Sequence, residues 1–239
     1  PASFWEKYEY FIRHSAGLGK SPSKPDLDLY DHQYAHCDVL VIGGGISGVI
    51  SAKLAVQNNL NTILLNDKNY LGGSTIYQDS DEFKIDNKNS NKWLQEEINK
   101  LKKYKNLIIK NRTSLAAFHG YNYLLAKESL TDHLNINERK NKIRQRLWKI
   151  RAKKVIIATG SIERPLIFNN NDRPGIMLSS SIKKFIDFYG VKTGKRICIF
   201  TNNDTAYETA ISLHKSGVEI GKIVDIRDKC SSSLINKVE

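Results

Sequence analysis

The sequence predicts an α/β fold with a parallel sheet, and three observations carry the prediction. The apolar run Val39-Leu40-Val41-Ile42 enters a Gly-x-Gly-x-x-Gly turn at Gly43, Gly45 and Gly48, after which apolar residues recur at helical spacing. Two further apolar strands, Thr62-Ile63-Leu64-Leu65 and Leu107-Ile108-Ile109, alternate with helical segments, which is the β-α-β-α-β order of a parallel half-sheet. A second strand–turn–helix–strand unit begins at Gly194-Lys195-Arg196. Together they describe a Rossmann-like FAD/NAD(P)-type domain with an antiparallel meander, followed by a partial second Rossmann-like unit. The expected division is residues 1–36 as a helical arm or linker, 37–165 as the dinucleotide-binding domain, and 166–239 as the second, glycine-poor and truncated unit.

The arm comes first. Phe4, Trp5, Tyr8, Phe11 and Ile12 recur at helical spacing, predicting an amphipathic helix from Ala2 to about Ser15 that packs on a neighbouring domain. Pro22 and Pro25 end helix formation, and 26–36 is polar and aromatic without a clear period. In the glycine turn, Gly43 bends the chain, Gly45 lets backbone approach a pyrophosphate, and Gly48 allows close helix–strand packing. Ile46 and Ser47 open the helix, whose N–H groups and positive dipole end suit phosphate.

The second strand ends at Asn66 and Asp67, where a dinucleotide site places a carboxylate for the ribose hydroxyls. Either Asn66 makes that contact or Asp67 reaches it by a one-residue shift. An acid here opposes a 2′-phosphate and favours NAD or FAD over NADP, although Lys68 follows directly. Gly72, Gly73 and Ser74 then bring backbone past the cofactor. Residues 79–91 read as an outward loop, and Trp93, Leu94, Ile98, Leu101 and Tyr104 mark a helix. Segments 114–118, 121–126 and 146–150 read as a meander with a turn at Gly120. Asp132 and His133 read as surface or turn residues. Lys154-Val155-Ile156-Ile157 reads as a separate strand rejoining the parallel sheet, its end at Ala158, Thr159 and Gly160 kept small beside the cofactor.

In the second unit a helix over 179–189 carries Ile182, Phe185, Ile186 and Tyr189 on one face, and the next spans Ala206 to Lys215. Its closing strand is Ile223 to Arg227. The turn Thr201-Asn202-Asn203-Asp204-Thr205 has no glycine, and Asp204 would repel a pyrophosphate, so dinucleotide binding is expected in the first unit alone.

Composition narrows the function classes. The formal net charge is +12, from 37 Lys and Arg against 25 Asp and Glu, but the basic residues are scattered and form no compact aromatic-basic signature, so nucleic acid is not an expected partner. No apolar run approaches the ~18 residues a membrane helix needs. Cys37, Cys198 and Cys230 are far apart, which disfavours zinc, an iron–sulfur cluster or a redox dithiol. Cys37 and Cys198 fall in or beside strands and read as buried thiols, in keeping with a reducing cytoplasm. The chain starts at Pro1 and ends without a closing element, and is expected to be a segment of a longer protein. No nucleophile–base pair or metal cluster is legible, so no catalytic residue is assigned.

Longer runs go further than the glycine motif. Tyr34-Ala35-His36-Cys37-Asp38-Val39-Leu40-Val41-Ile42-Gly43-Gly44-Gly45, Arg146-Leu147-Trp148-Lys149-Ile150-Arg151-Ala152-Lys153, Ala158-Thr159-Gly160-Ser161-Ile162-Glu163-Arg164-Pro165, Phe168 to Leu178 and Phe200-Thr201-Asn202-Asn203-Asp204-Thr205-Ala206-Tyr207 resemble the alpha subunit of heterotetrameric sarcosine oxidase. The resemblance covers nearly the whole chain from Phe4 and accounts for the glycine-free second turn. Asn66 departs from the family's usual carboxylate. The resemblance implies noncovalent NAD in this domain of a cytoplasmic complex with beta, gamma and delta subunits. That complex demethylates sarcosine oxidatively to glycine, passing the one-carbon unit to tetrahydrofolate and electrons to oxygen. FAD in the beta subunit and a covalent FMN between the two subunits would do the redox work, and a C-terminal part of the alpha subunit would handle folate. Alternative readings are a subunit of a related amine, opine or amino-acid dehydrogenase holding FAD, and a structural domain with a vestigial nucleotide site.

Overall fold

A computed structural model describes residues 4–19, 23–77, 84–228 and 234–235. Helix α1 (Trp5–Ser15) carries the predicted aromatic stripe, and Phe4, Trp5, Tyr8, Phe11 and Ile12 all remain exposed. The main sheet has six strands in the order β5-β2-β1-β8-β7-β6: β1 (Leu29–Ile42), β2 (Thr62–Leu65), β5 (Leu107–Lys110), β6 (Thr113–His119), β7 (Tyr123–Ser129) and β8 (Ile143–Ile157). β5, β2, β1 and β8 run parallel, and β6 and β7 add the antiparallel meander. The sheet curls until the start of β6 meets the end of β2, where the Thr113 N–H donates to the Asn66 carbonyl at 2.8 Å.

Helices α2 (Ile46–Gln57) and α3 (Ser90–Leu101) cover one face, burying Val39, Val41, Val49, Ala52, Leu64, Leu94 and Leu101 in one apolar cluster. The meander closes over the other, where Leu40, Ile42, Ile63 and Leu65 pack with Leu124, Ala126, Ile150 and Ala152. Runs apolar at every position, such as Leu40 to Ile42, are what burial on both faces requires.

The sheet is longer than the apolar pattern announces. β1 begins at Leu29, inside the stretch expected to be irregular and across the expected 36/37 boundary, because β8 supplies its ladder from Leu29↔Ile143 onward. Cross-strand pairs replace apolar alternation there: Arg146 Nε donates to Asp31 at 2.8 Å. β8 is also one strand where the sequence suggested two. Arg151-Ala152-Lys153 holds no turn residue, so the strand pairs with β7 up to Arg151 and with β1 throughout. At the β6–β7 hairpin the left-handed residues are Tyr121 and Asn122, while Gly120 only starts the turn. Within the expected loop, β3 (Lys84–Ile85) and β4 (Lys88–Asn89) form a small hairpin, while 78–83 lie outside the described residues. Tyr104 falls beyond the end of α3. A short helix α4 (Ile136–Arg139) opens with a capping box at Asn135 and Glu138.

The second unit comprises α5 (Ser179–Asp187), β9 (Arg196–Thr201), α6 (Thr205–Lys215) and β10 (Glu219–Asp225). β9 and β10 pair in parallel, and Ile186, Ile199, Ala206, Ala210, Leu213 and Val218 form its core. β10 lies earlier than expected, leaving Arg227 outside the strand. α5 ends at Asp187, so Tyr189 falls beyond the helix expected over 179–189; Phe185 and Tyr189 stay exposed, because only Ile182 and Ile186 reach that core. Cys37 is buried, and burial pushes its thiol up to about 11. Cys198, expected to be buried, is exposed, because it points away from the helices that cover one side of β9. Cys230 lies outside the described residues.

Candidate functional site

The carboxyl ends of β1, β2 and β8 converge on an open groove of about 930 Å³. Every predicted site residue except Gly48 lines it: Gly43, Gly45, Ile46 and Ser47 from the first turn, Asn66 and Asp67 from β2, Gly72, Gly73 and Ser74 from the next loop, and Ala158, Thr159 and Gly160 after β8. Gly48 works from behind, since a β-carbon there would stand 1.8 Å from the Gly43 carbonyl oxygen.

The glycines divide the labour. Gly43 has φ +111° and would place a β-carbon 2.2 Å from the Ala158 carbonyl, so it lets β1 and β8 end side by side. Gly45, the N-cap of α2, would place its β-carbon in open space. The cradle is therefore a volume that any side chain at 45 would fill. No side chain caps α2 and no acidic residue stands in its first turn, so its N–H groups and dipole face the groove uncompensated.

The double glycine serves packing more than the sequence suggested. A β-carbon on Gly72 (φ +122°) would lie 2.6 Å from Leu94 and 2.8 Å from Ile76, and the Gly72 N–H donates to the Gly44 carbonyl at 2.7 Å. Gly73 passes close to the backbone of Gly45. Gly44 belongs to the same assembly, because a β-carbon there would strike Asn66 and Leu71.

Asn66 is 4% exposed, and its amide donates to the carbonyls of Lys68 (3.0 Å) and Tyr70 (2.7 Å) and to Asn111 Oδ1 (3.2 Å). It holds the loop after β2 in shape. Asp67 stands more than half exposed at the groove, paired with Lys68 at 2.7 Å, and that hydrogen bond raises the Lys68 pKa. Ser51, Tyr70, Thr75, Tyr77, Ile156, Ile157, Ser161 and Lys184 also line it, and for Tyr70, Thr75, Tyr77 and Lys184 no motif in the sequence announces that place. Among the described lining residues there is no histidine or cysteine.

The second turn is built differently. The Asn203 N–H donates to Thr201 Oγ1, and the Thr205 N–H to Asn203 Oδ1, both at 3.1 Å, so side chains use the donors that a phosphate would need. Arg227 bridges Asp204 at 2.6 Å and Asp225 at 2.7 Å, and the Tyr207 hydroxyl donates to Asp225 at 3.1 Å. Asp132 is likewise committed, to Arg144 at 2.5 Å and Gln145 at 2.7 Å, far from any groove-lining group.

The family described as pyridine nucleotide-disulphide oxidoreductase matches residues 37–238, from the start of the buried part of β1 through the second unit. The chain belongs to this family. Within it, the chain is 38% identical over 228 residues to the sarcosine oxidase subunit alpha of Rhizobium meliloti (strain 1021), a match covering 95% of this chain and 23% of that protein. It is 34% identical over 222 residues to the corresponding subunit of Corynebacterium sp. (strain P-1), covering 93% of this chain and again 23% of the relative. The chain thus spans less than a quarter of the length of these relatives, and the resemblance read from the longer runs is met in sequence. Among solved structures, L-proline dehydrogenase from P. horikoshii superposes with a TM-score of 0.65 at 24% identity, covering 89% of this chain and 40% of that one. T. acidophilum thioredoxin reductase gives 0.55 at 17% identity, covering 85% and 61%. These two share the fold of this pyridine nucleotide-disulphide oxidoreductase domain. Among the described residues, no helix is long and apolar enough to cross a membrane.

Proposed function

We propose that this chain is the NAD-holding portion of a sarcosine oxidase alpha subunit, in a cytoplasmic complex that oxidises sarcosine to glycine with tetrahydrofolate as one-carbon acceptor and oxygen as electron acceptor. The observation that carries the nucleotide reading is the open space at Gly45 beside the uncompensated N-terminus of α2. A pyrophosphate fits that cradle, with the N–H groups that follow Gly45 as donors and Asp67 in reach of a ribose. Asp67 also supports NAD or FAD over a 2′-phosphorylated nucleotide. The arm ends where β1 begins at Leu29 rather than at 36, the nucleotide domain runs on to 165 and 166–239 serve as the second unit, and the exposed stripe of α1 meets another subunit or domain. The described lining residues include no histidine or cysteine, which supports a resident nucleotide with the redox chemistry on flavins elsewhere in the complex. Release and identification of the nucleotide from purified full-length protein tests this. NAD is expected. Bound FAD would favour an amine or amino-acid dehydrogenase subunit, and an empty site a vestigial one.

A further inference from the structure

We propose that Lys184, carried by the second unit, binds a phosphate group of the nucleotide held in the first unit, so that the ligand ties the two units together. The inference rests on the nucleotide reading above and adds a residue that no glycine motif announces. Helix α5 stands against the wall of the groove, the Phe188 ring lying 5.1 Å from that of Tyr70. Lys184 lies one helical turn before Phe188, on the same side of the helix, and lines the groove itself.

Charge decides what it faces. Among the described lining residues two are cationic, Lys68 and Lys184. Lys68 is neutralised by Asp67 at 2.7 Å. The neighbouring Lys183 is buried and committed to Asp187 at 2.7 Å and Ser212 at 2.9 Å. Lys184 forms no ion pair among the described residues; its ammonium lies 5.7 Å from the ring of Tyr189. The α2 terminus, with no acidic residue in its first turn, faces the same groove. A groove presenting a helix N-terminus and an uncompensated ammonium selects phosphate oxygens, which lysine binds as a point charge.

The test compares wild type, Lys184→Met and Lys184→Arg in the full-length protein, titrated with NAD, ADP-ribose, NADP and adenosine. Lys184→Met is expected to weaken NAD and ADP-ribose about tenfold, to flatten the salt dependence of their binding, and to leave phosphate-free adenosine unchanged; Lys184→Arg retains most of the affinity. A loss confined to NADP, with NAD and ADP-ribose unchanged, overturns the contact with the phosphates of NAD, which carries no 2′-phosphate. Equal affinity of Lys184→Met and wild type for every phosphate-bearing probe overturns the inference and leaves the nucleotide reading standing. A wild type that binds none of the probes overturns both.

Discussion

Two strand–turn–helix corners in this chain share a topology and differ in everything a phosphate would notice. At 43–48 glycines bring three strand ends together, leave space at Gly45 and leave the first N–H groups of α2 to the groove. At 201–205 Thr201 and Asn203 spend the loop donors internally, Asp204 and Glu208 put acid at the start of α6, and Arg227 closes the corner against Asp204 and Asp225. The same fold element is a receptor in one place and a brace in the other. Supersecondary structure sets where a ligand could lie; the fate of a few backbone donors decides whether one can.

The contrast can be broken at its strongest point first. Gly48→Ala drives a methyl group into the Gly43 carbonyl and is expected to cost about 3 kcal/mol or more of stability, read by denaturant unfolding. A variant as stable as wild type would mean the turn is not held by this contact. Gly45→Val enters open space and should keep the fold within about 1 kcal/mol. It should lose at least about 100-fold in nucleotide affinity, or about 3 kcal/mol of binding free energy. Undiminished binding in titration would remove the cradle from the site. Arg227→Ala removes the guanidinium that joins Asp204 to Asp225 and is expected to lower stability modestly, with no gain of a second bound nucleotide. A second equivalent appearing in equilibrium dialysis would show that the two corners differ only by a plug.

Asp132 lies at neither corner and supplies the baseline. Burial pushes its carboxyl up, but the Arg144 and Gln145 hydrogen bonds win and hold it down to about 2. A folded-state value below the unfolded one contributes stability that is complete above about pH 4 and is lost as the pH falls towards 2. Asp132→Asn should therefore be about 1 kcal/mol less stable than wild type at pH 7, and the gap should close between pH 4 and 2, as measured by urea unfolding across that range. Nucleotide affinity should not change.

Much of this was legible because burial on two faces forces runs such as Val39 to Ile42, and because glycine alone tolerates the contacts at 43 and 48. The ladder from Leu29 to His36 was not legible, since its stability comes from a partner strand more than a hundred residues away and from charge pairs such as Asp31–Arg146. Joining β8 across Arg151 to Lys153 required seeing an absence of turn residues as continuity. In the site, the sequence placed Asn66 and Asp67 correctly at the end of β2, but only packing reveals that the Asn66 amide is consumed by the Lys68 and Tyr70 carbonyls. Lys184 comes from another unit, and no local spacing can report a contact made through tertiary structure.

The pairing of β1 with β8 has a consequence for how the molecule is made. Their partners are separated by about 115 positions, as in Ile42↔Ile157, so closing this ladder carries the entropy of a long loop and belongs late in folding. The wall at Ala158 stands on that ladder, its N–H donating to the Ile42 carbonyl at 2.8 Å. During synthesis the glycine turn emerges early with one side of its groove missing. The groove is complete only when residues near 160 have left the ribosome and docked, so a nucleotide bound there would favour the β1–β8 pairing on which the groove stands.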